Sequence, residues 1–219
     1  MPFSMGHRTS TTPSSYHLVD IGLPTSDDLP GEIMTLILAS ISPRRQELLS
    51  RITNDFIVVP SGAEEIEVGP AHERVVLSSR AKARAVGSAR AGIVLGADTV
   101  VVLDEHVLGK PVSRVEAKDM LRLLSGRTHA VLTGMTLWNS VSDLERSACV
   151  ETLVRFRAMT DEEMDWYLDG GEYSDKAGAY GIQGKAAIFI ESITGEYTNV
   201  MGLPLCELGR LLREMGVTF

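Results

Sequence analysis

The run Ile93-Val94-Leu95-Gly96-Ala97-Asp98-Thr99-Val100-Val101-Val102-Leu103 is apolar almost throughout, yet it carries a carboxylate near its centre. Ile93 to Leu95 and Thr99 to Leu103 read as strand, with Gly96-Ala97-Asp98 between them. An unpaired carboxylate inside such a run is very costly to bury. Asp98 is therefore expected at a strand end, facing a cleft, a metal or a cation, unless it only caps a turn. Gly96 just before it predicts a close approach by another stretch of backbone.

A second segment makes a complementary demand. Leu36 to Ala39 reads as a short buried strand, and Ser42-Pro43 as the N-cap and first residue of a helix. Arg44 and Arg45 then fall in the first turn, at the positive end of the helix dipole, where a cation typically costs roughly 0.3–1 kcal/mol. Open backbone N–H groups and two guanidinium forks at one place favour a bound anion, most plausibly phosphate. The same two residues also fit a surface helix with both arginines reaching into solvent.

Further along, Phe56 to Pro60 reads as a strand, residues 63–67 as a loop and Ala71 to Ala89 as a helix. Asp104-Glu105-His106 is a turn leading to Val107-Leu108-Gly109-Lys110-Pro111. Ser113 to Glu116 and Thr160 to Glu163 have the spacing of capping boxes, each opening a helix. His129 to Trp138 and the alternating Val150, Thr152, Val154 and Phe156 read as strands, as does Ala187 to Ile190. Pro204 opens a last helix with Leu205, Leu208, Leu211, Leu212 and Met215 on one face. Strands and helices mix without strict alternation, so the expected fold is α/β, a mixed sheet with flanking helices. Residues 34–219 form one domain in this reading. Residues 1–33, polar and interrupted by Pro13, Pro24 and Pro30, are expected to be a flexible extension, in part packed through Tyr16, Leu18 and Ile21.

Composition narrows the partners. The chain of 219 residues has a formal net charge of −8, which argues against broad attraction to nucleic acid, and basic residues do not interleave with aromatic ones. An anionic substrate would need a local basic cluster or a metal ion. No apolar stretch is long enough to span a bilayer. The two cysteines, Cys149 and Cys206, fit a reducing compartment, here the cytoplasm, and neither a disulfide scaffold nor a thiolate zinc site.

Other residues speak less clearly alone. Lys82 lies on a helix with several basic residues, and Lys110 between Gly109 and Pro111; each by itself reads as solvent-exposed. Glu64 and Glu65 are adjacent in a loop, and one of them is able to meet a metal. His129 has no second ligand at metal spacing and reads as structural. In Asp175-Lys176-Ala177-Gly178-Ala179-Tyr180-Gly181-Ile182-Gln183-Gly184, three glycines allow close backbone approach. Gln183 offers a donor beside an acceptor, a match for uracil or thymine, and for cytosine if the amide is turned over.

Taken in order, Leu38 to Arg45, Gly96 to Val101, Leu108 to Pro111, Ser125 to His129, Lys176 to Gly184 and Asn199 to Leu205 resemble the Maf family of nucleoside triphosphate pyrophosphatases. The resemblance covers the chain from about Leu36 to Met215. It implies a Maf/inosine-triphosphatase-like fold with two lobes around a deep cleft. The activity implied is hydrolysis of a nucleoside triphosphate to the monophosphate and pyrophosphate, a housecleaning of the nucleotide pool. The Tyr180-Gly181-Ile182-Gln183 form of the loop is similar to the branch acting on dTTP and UTP.

Carried over by motif, Asp98 matches the proton acceptor, with Lys82 and Lys110 as further catalytic residues. Ser40, Arg44 and Arg45 match phosphate-handling positions, and Arg44, Thr99 and Gln183 match positions tied to base choice. Glu65 and Asp98 would hold a divalent metal, Mg²⁺ or alternatively Mn²⁺. A homodimer is a family expectation. The alternative activity is a non-catalytic nucleotide-binding regulator linked to cell-division control. Two departures stand out: Ile41 where members often have Gly, expected to crowd the phosphate loop, and Ala186 where Gly is usual.

Overall fold

The computed structural model describes residues 34–219. The expectations for residues 1–33, including packing through Tyr16, Leu18 and Ile21, lie outside the described residues.

A seven-stranded mixed sheet organises the chain. Strand β1 (Leu36–Leu38) runs parallel to β2 (Phe56–Val58) on one side and to β3 (Ile93–Leu103) on the other. The order continues through β5 (Thr128–Asn139), β6 (Glu145–Phe156) and β7 (Ile190–Thr194), each antiparallel to its neighbour, while β4 (His106–Leu108) folds back on the end of β3. Helices α1 (Pro43–Ser50), α2 (Ala71–Gly87), α3 (Arg114–Leu124), α4 (Asp161–Asp169), α5 (Tyr197–Val200) and α6 (Leu205–Glu214) flank it. No helix among the described residues is long and apolar enough to cross a membrane.

The period-two alternation of β3 sorts its side chains onto two faces. Ile93, Leu95, Ala97, Val101 and Leu103 join the main core, with Leu36 and Leu38 of β1 and Leu208, Leu211 and Leu212 of α6. Val94 and Val100 face the other way and pack in two smaller clusters with Ala83, Val86 and Val75 of α2. By parity, Asp98 shares the α2 face with Gly96, and Thr99 lies on the main-core face.

Two glycines let α2 lie directly on the sheet. A Cβ at Gly96 would stand 2.0 Å from the Ser79 carbonyl oxygen, and one at Gly134, which faces Asp98 across the ladder, 2.3 Å from that of Val75. The close approach expected at Gly96 is thus real, and the backbone that approaches is that of α2. Ser79 Oγ and Thr136 Oγ1 share a hydrogen bond of 2.8 Å where helix and sheet meet.

β3 differs from the sequence reading in being unbroken, so Asp98 sits inside the strand and not at its end. Antiparallel pairing to β5 runs from Ile93 to Val102 without interruption and carries Gly96-Ala97-Asp98 along. The opening for Asp98 arises on the other edge. There β1 pairs only as far as Leu95 and β4 only from Val101, which leaves residues 96–100 without a strand partner on that edge among the described residues.

Three smaller expectations also change. Ala187 to Ile190 is not a strand: Lys185–Phe189 forms a 3₁₀ turn, whose three-residue period buries Ala186 and Phe189 together, and β7 begins at Ile190. Only half of the first capping box forms. Glu116 N–H donates to Ser113 Oγ, but Glu116 Oε2 accepts from Val112 N–H; at α4 the Thr160–Glu163 box is complete. The short helix α5 was not foreseen.

Gly96→Ala should therefore force α2 off the sheet and cost about 1–3 kcal/mol or more. Gly109→Ala, where an added Cβ meets nothing within 4 Å, should stay within about 0.5 kcal/mol of wild type. Urea unfolding midpoints check both; equal midpoints for the two variants would contradict the packing account.

Candidate active site

The uncovered stretch of β3 forms the floor of a cleft of about 900 Å³. Its walls are the start of α1, the 60–67 loop, Gly109-Lys110, the 175–183 loop and residues 200–202. Ser40, Arg44, Arg45, Glu65, Lys82, Asp98, Thr99, Lys110 and Gln183, all singled out from the sequence, line this one space.

Lys82 is only 8% exposed and Asp98 6%. Lys82 thus departs from the solvent-facing reading that its helix alone suggested. Its Nζ donates to Asp98 Oδ1 at 2.6 Å and to Glu65 Oε1 at 3.1 Å, and Lys110 Nζ stands 3.9 Å from the same Glu65 oxygen. Burial raises the Glu65 pKa, but Lys82, then Lys110 and Arg45, pull it further the other way, so the carboxyl ends below its ordinary value. Of the adjacent glutamates, Glu65 lines the cleft and Glu64 does not.

The 60–67 loop is fastened beside Glu65 by two residues that the sequence reading passed over. Ile66 N–H donates to Ser78 Oγ at 2.9 Å, and Arg74 Nε donates to Ile66 O at 3.1 Å. Ser78 and Arg74 lie four and eight residues before Lys82, on the same side of α2, and that helical spacing was the available signal.

At α1, Ser42 occupies the N-cap position and Pro43 follows, as expected, but Ser42 makes no side-chain cap and the first turn has no acidic residue. Its N–H donates instead to Ser40 Oγ at 3.2 Å. The N-terminal donors of α1 thus stay unclaimed by a side-chain cap, the condition for anion binding. Ile41, 70% exposed, lines the same cleft.

The two arginines play different parts. Arg45 is anchored: Nε donates to Gly202 O at 2.8 Å, Nη1 to Ser40 Oγ at 3.4 Å and Nη2 to Thr99 Oγ1 at 3.1 Å. Burial lowers its pKa, Asp98 opposes that and Arg44 adds to it. Arg44 crosses the cleft, donating to Asp175 Oδ2 at 2.7 Å and Asp175 O at 3.1 Å. Lys176 Nζ holds the other Asp175 oxygen at 2.7 Å. Burial raises the Asp175 pKa, and Lys176 and Arg44 bring it below its ordinary value.

The 175–184 loop is pinned by Gly178 N–H, which donates to Gly109 O at 3.0 Å. Gly178 and Ala179 both take positive φ, 66° and 61°. Gln183 is exposed within the cleft, and among the described residues its amide has no hydrogen-bond partner. Behind the loop, His129 Nε2 and Tyr180 Oη lie 2.8 Å apart, and both rings pack edge-on against Phe156. His129 is buried, and among the described residues its Nδ1 has no hydrogen-bond partner.

Comparison with known proteins gives consistent findings. The family model described as Maf-like protein matches residues 35–215. A dTTP/UTP pyrophosphatase of Thermococcus gammatolerans is 52% identical over 181 residues, 83% of this chain and 96% of that protein. Proteins of the same name from Symbiobacterium thermophilum and Thermococcus onnurineus are 51% and 48% identical, each over 83% of this chain and over 94% and 97% of their own lengths.

Burial holds His129 neutral, lowering its pKa from 6.5 to about 4. Its contribution to stability is complete above pH 6.5 and drains away as pH falls toward 4, because the unfolded chain binds the proton more readily. Between pH 7 and pH 4.5 the melting temperature of wild type should drop further than that of His129→Gln. Equal drops would show that His129 does not titrate this way.

Proposed function

This chain belongs to the Maf-like protein family, and from that premise we propose that it hydrolyses dTTP and UTP to the nucleoside monophosphate and pyrophosphate. One observation carries the reading. A buried ammonium shared by two carboxylates stands in the same cleft as an uncapped helix start with two arginines.

In this reading the triphosphate tail takes the α1 N-terminus, Ser40, Arg44 and Arg45, with Lys82 and Lys110 beside it. Pyrophosphate leaves with more charge on its bridging oxygen than it arrives with, and fixed cations favour that change. Asp98 uses Oδ1 for Lys82; among the described residues Oδ2 has no hydrogen-bond partner, so it is free to take a proton from the attacking water. Gln183 faces the base with its paired donor and acceptor.

Glu65 and Asp98 supply hard carboxylate oxygens facing one cleft, which suits Mg²⁺ or Mn²⁺, since such ions are commonly held by one or two carboxylates plus substrate phosphates. A metal bound there by Glu65 and Asp98 would draw charge from the phosphate oxygens. The same proposal places the protein in the cytoplasm as a homodimer that removes nucleotides from the pool.

A panel of canonical and modified triphosphates with Mg²⁺, its products separated, tests the reading. Monophosphate plus pyrophosphate is expected, fastest from UTP and dTTP. Diphosphate plus phosphate would contradict it, and binding without turnover would favour the regulator. Asp98→Asn and Lys110→Ala should each lower turnover by about a hundredfold or more while circular dichroism shows the chain still folded. Near-normal rates in either would remove that residue from the mechanism.

A further inference from the structure

Arg45, Thr99, Thr133 and Asn199 form a chain of hydrogen bonds from the cleft into the core. Arg45 Nη2 donates to Thr99 Oγ1 at 3.1 Å, Thr99 and Thr133 hydroxyls lie 3.0 Å apart, and Thr133 Oγ1 donates to Asn199 O at 3.1 Å. Thr133 is completely buried. The chain closes on itself, because Gly202 N–H also donates to Asn199 O, at 2.9 Å, and Gly202 O accepts from Arg45 Nε.

The two ends set the direction of this chain. A guanidinium only donates and a carbonyl only accepts. Thr133 has one proton, and it goes to Asn199 O. The proton between the threonines must then come from Thr99, pointing away from the Arg45 charge. Every hydroxyl proton in the chain is thereby used, and each bond polarises the next. Thr99 Oγ1 accepts from Arg45 with one lone pair. It presents the other lone pair, and no proton, to the cleft that it lines.

We infer that Thr133 is a positioning residue that makes Thr99 an obligate acceptor, so that Thr99 selects a nucleoside carrying an N–H or O–H donor and rejects phosphate oxygens. The inference rests on the nucleotide reading of the cleft and deepens it. Phosphate oxygens are acceptors at neutral pH, and two acceptors facing each other repel. The triphosphate tail is thereby kept on Arg45 and the helix start, and Thr99 meets the nucleoside. The donor is either the imide N–H of a uracil or thymine ring or a sugar hydroxyl. Sequence reading did not find Thr133, a polar residue inside an apolar strand.

Calorimetric affinities without divalent metal separate these sources and stay independent of turnover. The ligands are UTP, CTP, which lacks the imide N–H, dUTP, which lacks the 2′ hydroxyl, and 3′-deoxy-UTP. Wild type should bind at least one donor-lacking nucleotide about tenfold more weakly than UTP. Thr133→Val frees the Thr99 proton to turn into the cleft, so that ratio should collapse toward one, whereas Thr133→Ser should restore it. Thr99→Val, which removes the acceptor, should also abolish the ratio and serves if Thr133→Val does not fold.

A wild-type protein indifferent to all three changes, or a ratio unaltered in Thr133→Val or Thr99→Val, overturns the inference. So does equal weakening of every nucleotide in Thr133→Val. Absence of pyrophosphate release in the presence of Mg²⁺, with the affinity pattern intact, overturns the functional reading instead.

Discussion

An ammonium group 2.6 Å from a carboxylate, both almost wholly removed from water, is the contact on which the rest of this cleft depends. Such a pair is a poor source of stability, since desolvating two charges offsets much of their attraction. It exists because α2 rests on two glycines of the sheet and carries Lys82 over Asp98 as a fixed body. The same helix holds the 60–67 loop through Arg74 and Ser78, and so brings Glu65 to the second face of the ammonium. One rigid element thus sets Lys82 and, through the loop, Glu65 against Asp98 of β3, which is what a preorganised site requires.

The surrounding electrostatics run against the molecule as a whole. The net charge is −8, yet Arg44, Arg45, Lys82, Lys110, Arg74 and Lys176 converge on one cleft. Three carboxylates among them answer particular cations: Asp98 and Glu65 meet Lys82, and Asp175 meets Arg44 and Lys176. Asp175 also shows how the cleft is spanned without substrate, since it ties the start of α1 to the late loop. A triphosphate seated on Arg44 has to replace that contact or share it.

Much of this was legible in the sequence where the signal is local. The apolar run around Asp98, the glycine before it, the cap position at Ser42 and the two-residue alternation of β6 each follow from short-range chemistry, and the structure keeps them. Less was legible where burial is created by distant contacts. Lys82 reads as a solvated residue because nothing within α2 reveals the strand beneath it. Asp98 was expected at a strand end, but the opening comes from its neighbours β1 and β4 stopping short and not from β3 ending. Thr133 gave no signal, and the segments that hold Asp175 and Asn199 did not show their parts, since each matters through a partner 34 or more residues away. The resemblance to a known family supplied what periodicity did not: it named Lys82, Lys110 and Glu65 together, and the fold brings them into one space.

The central claim is that water, deprotonated at Asp98, attacks the first phosphorus of a bound pyrimidine triphosphate. Hydrolysis of UTP in ¹⁸O-labelled water, followed by mass spectrometry of both products, tests this directly. The account requires the label in the monophosphate and none in the pyrophosphate. Label in the pyrophosphate would place the attack on the second phosphorus and contradict it.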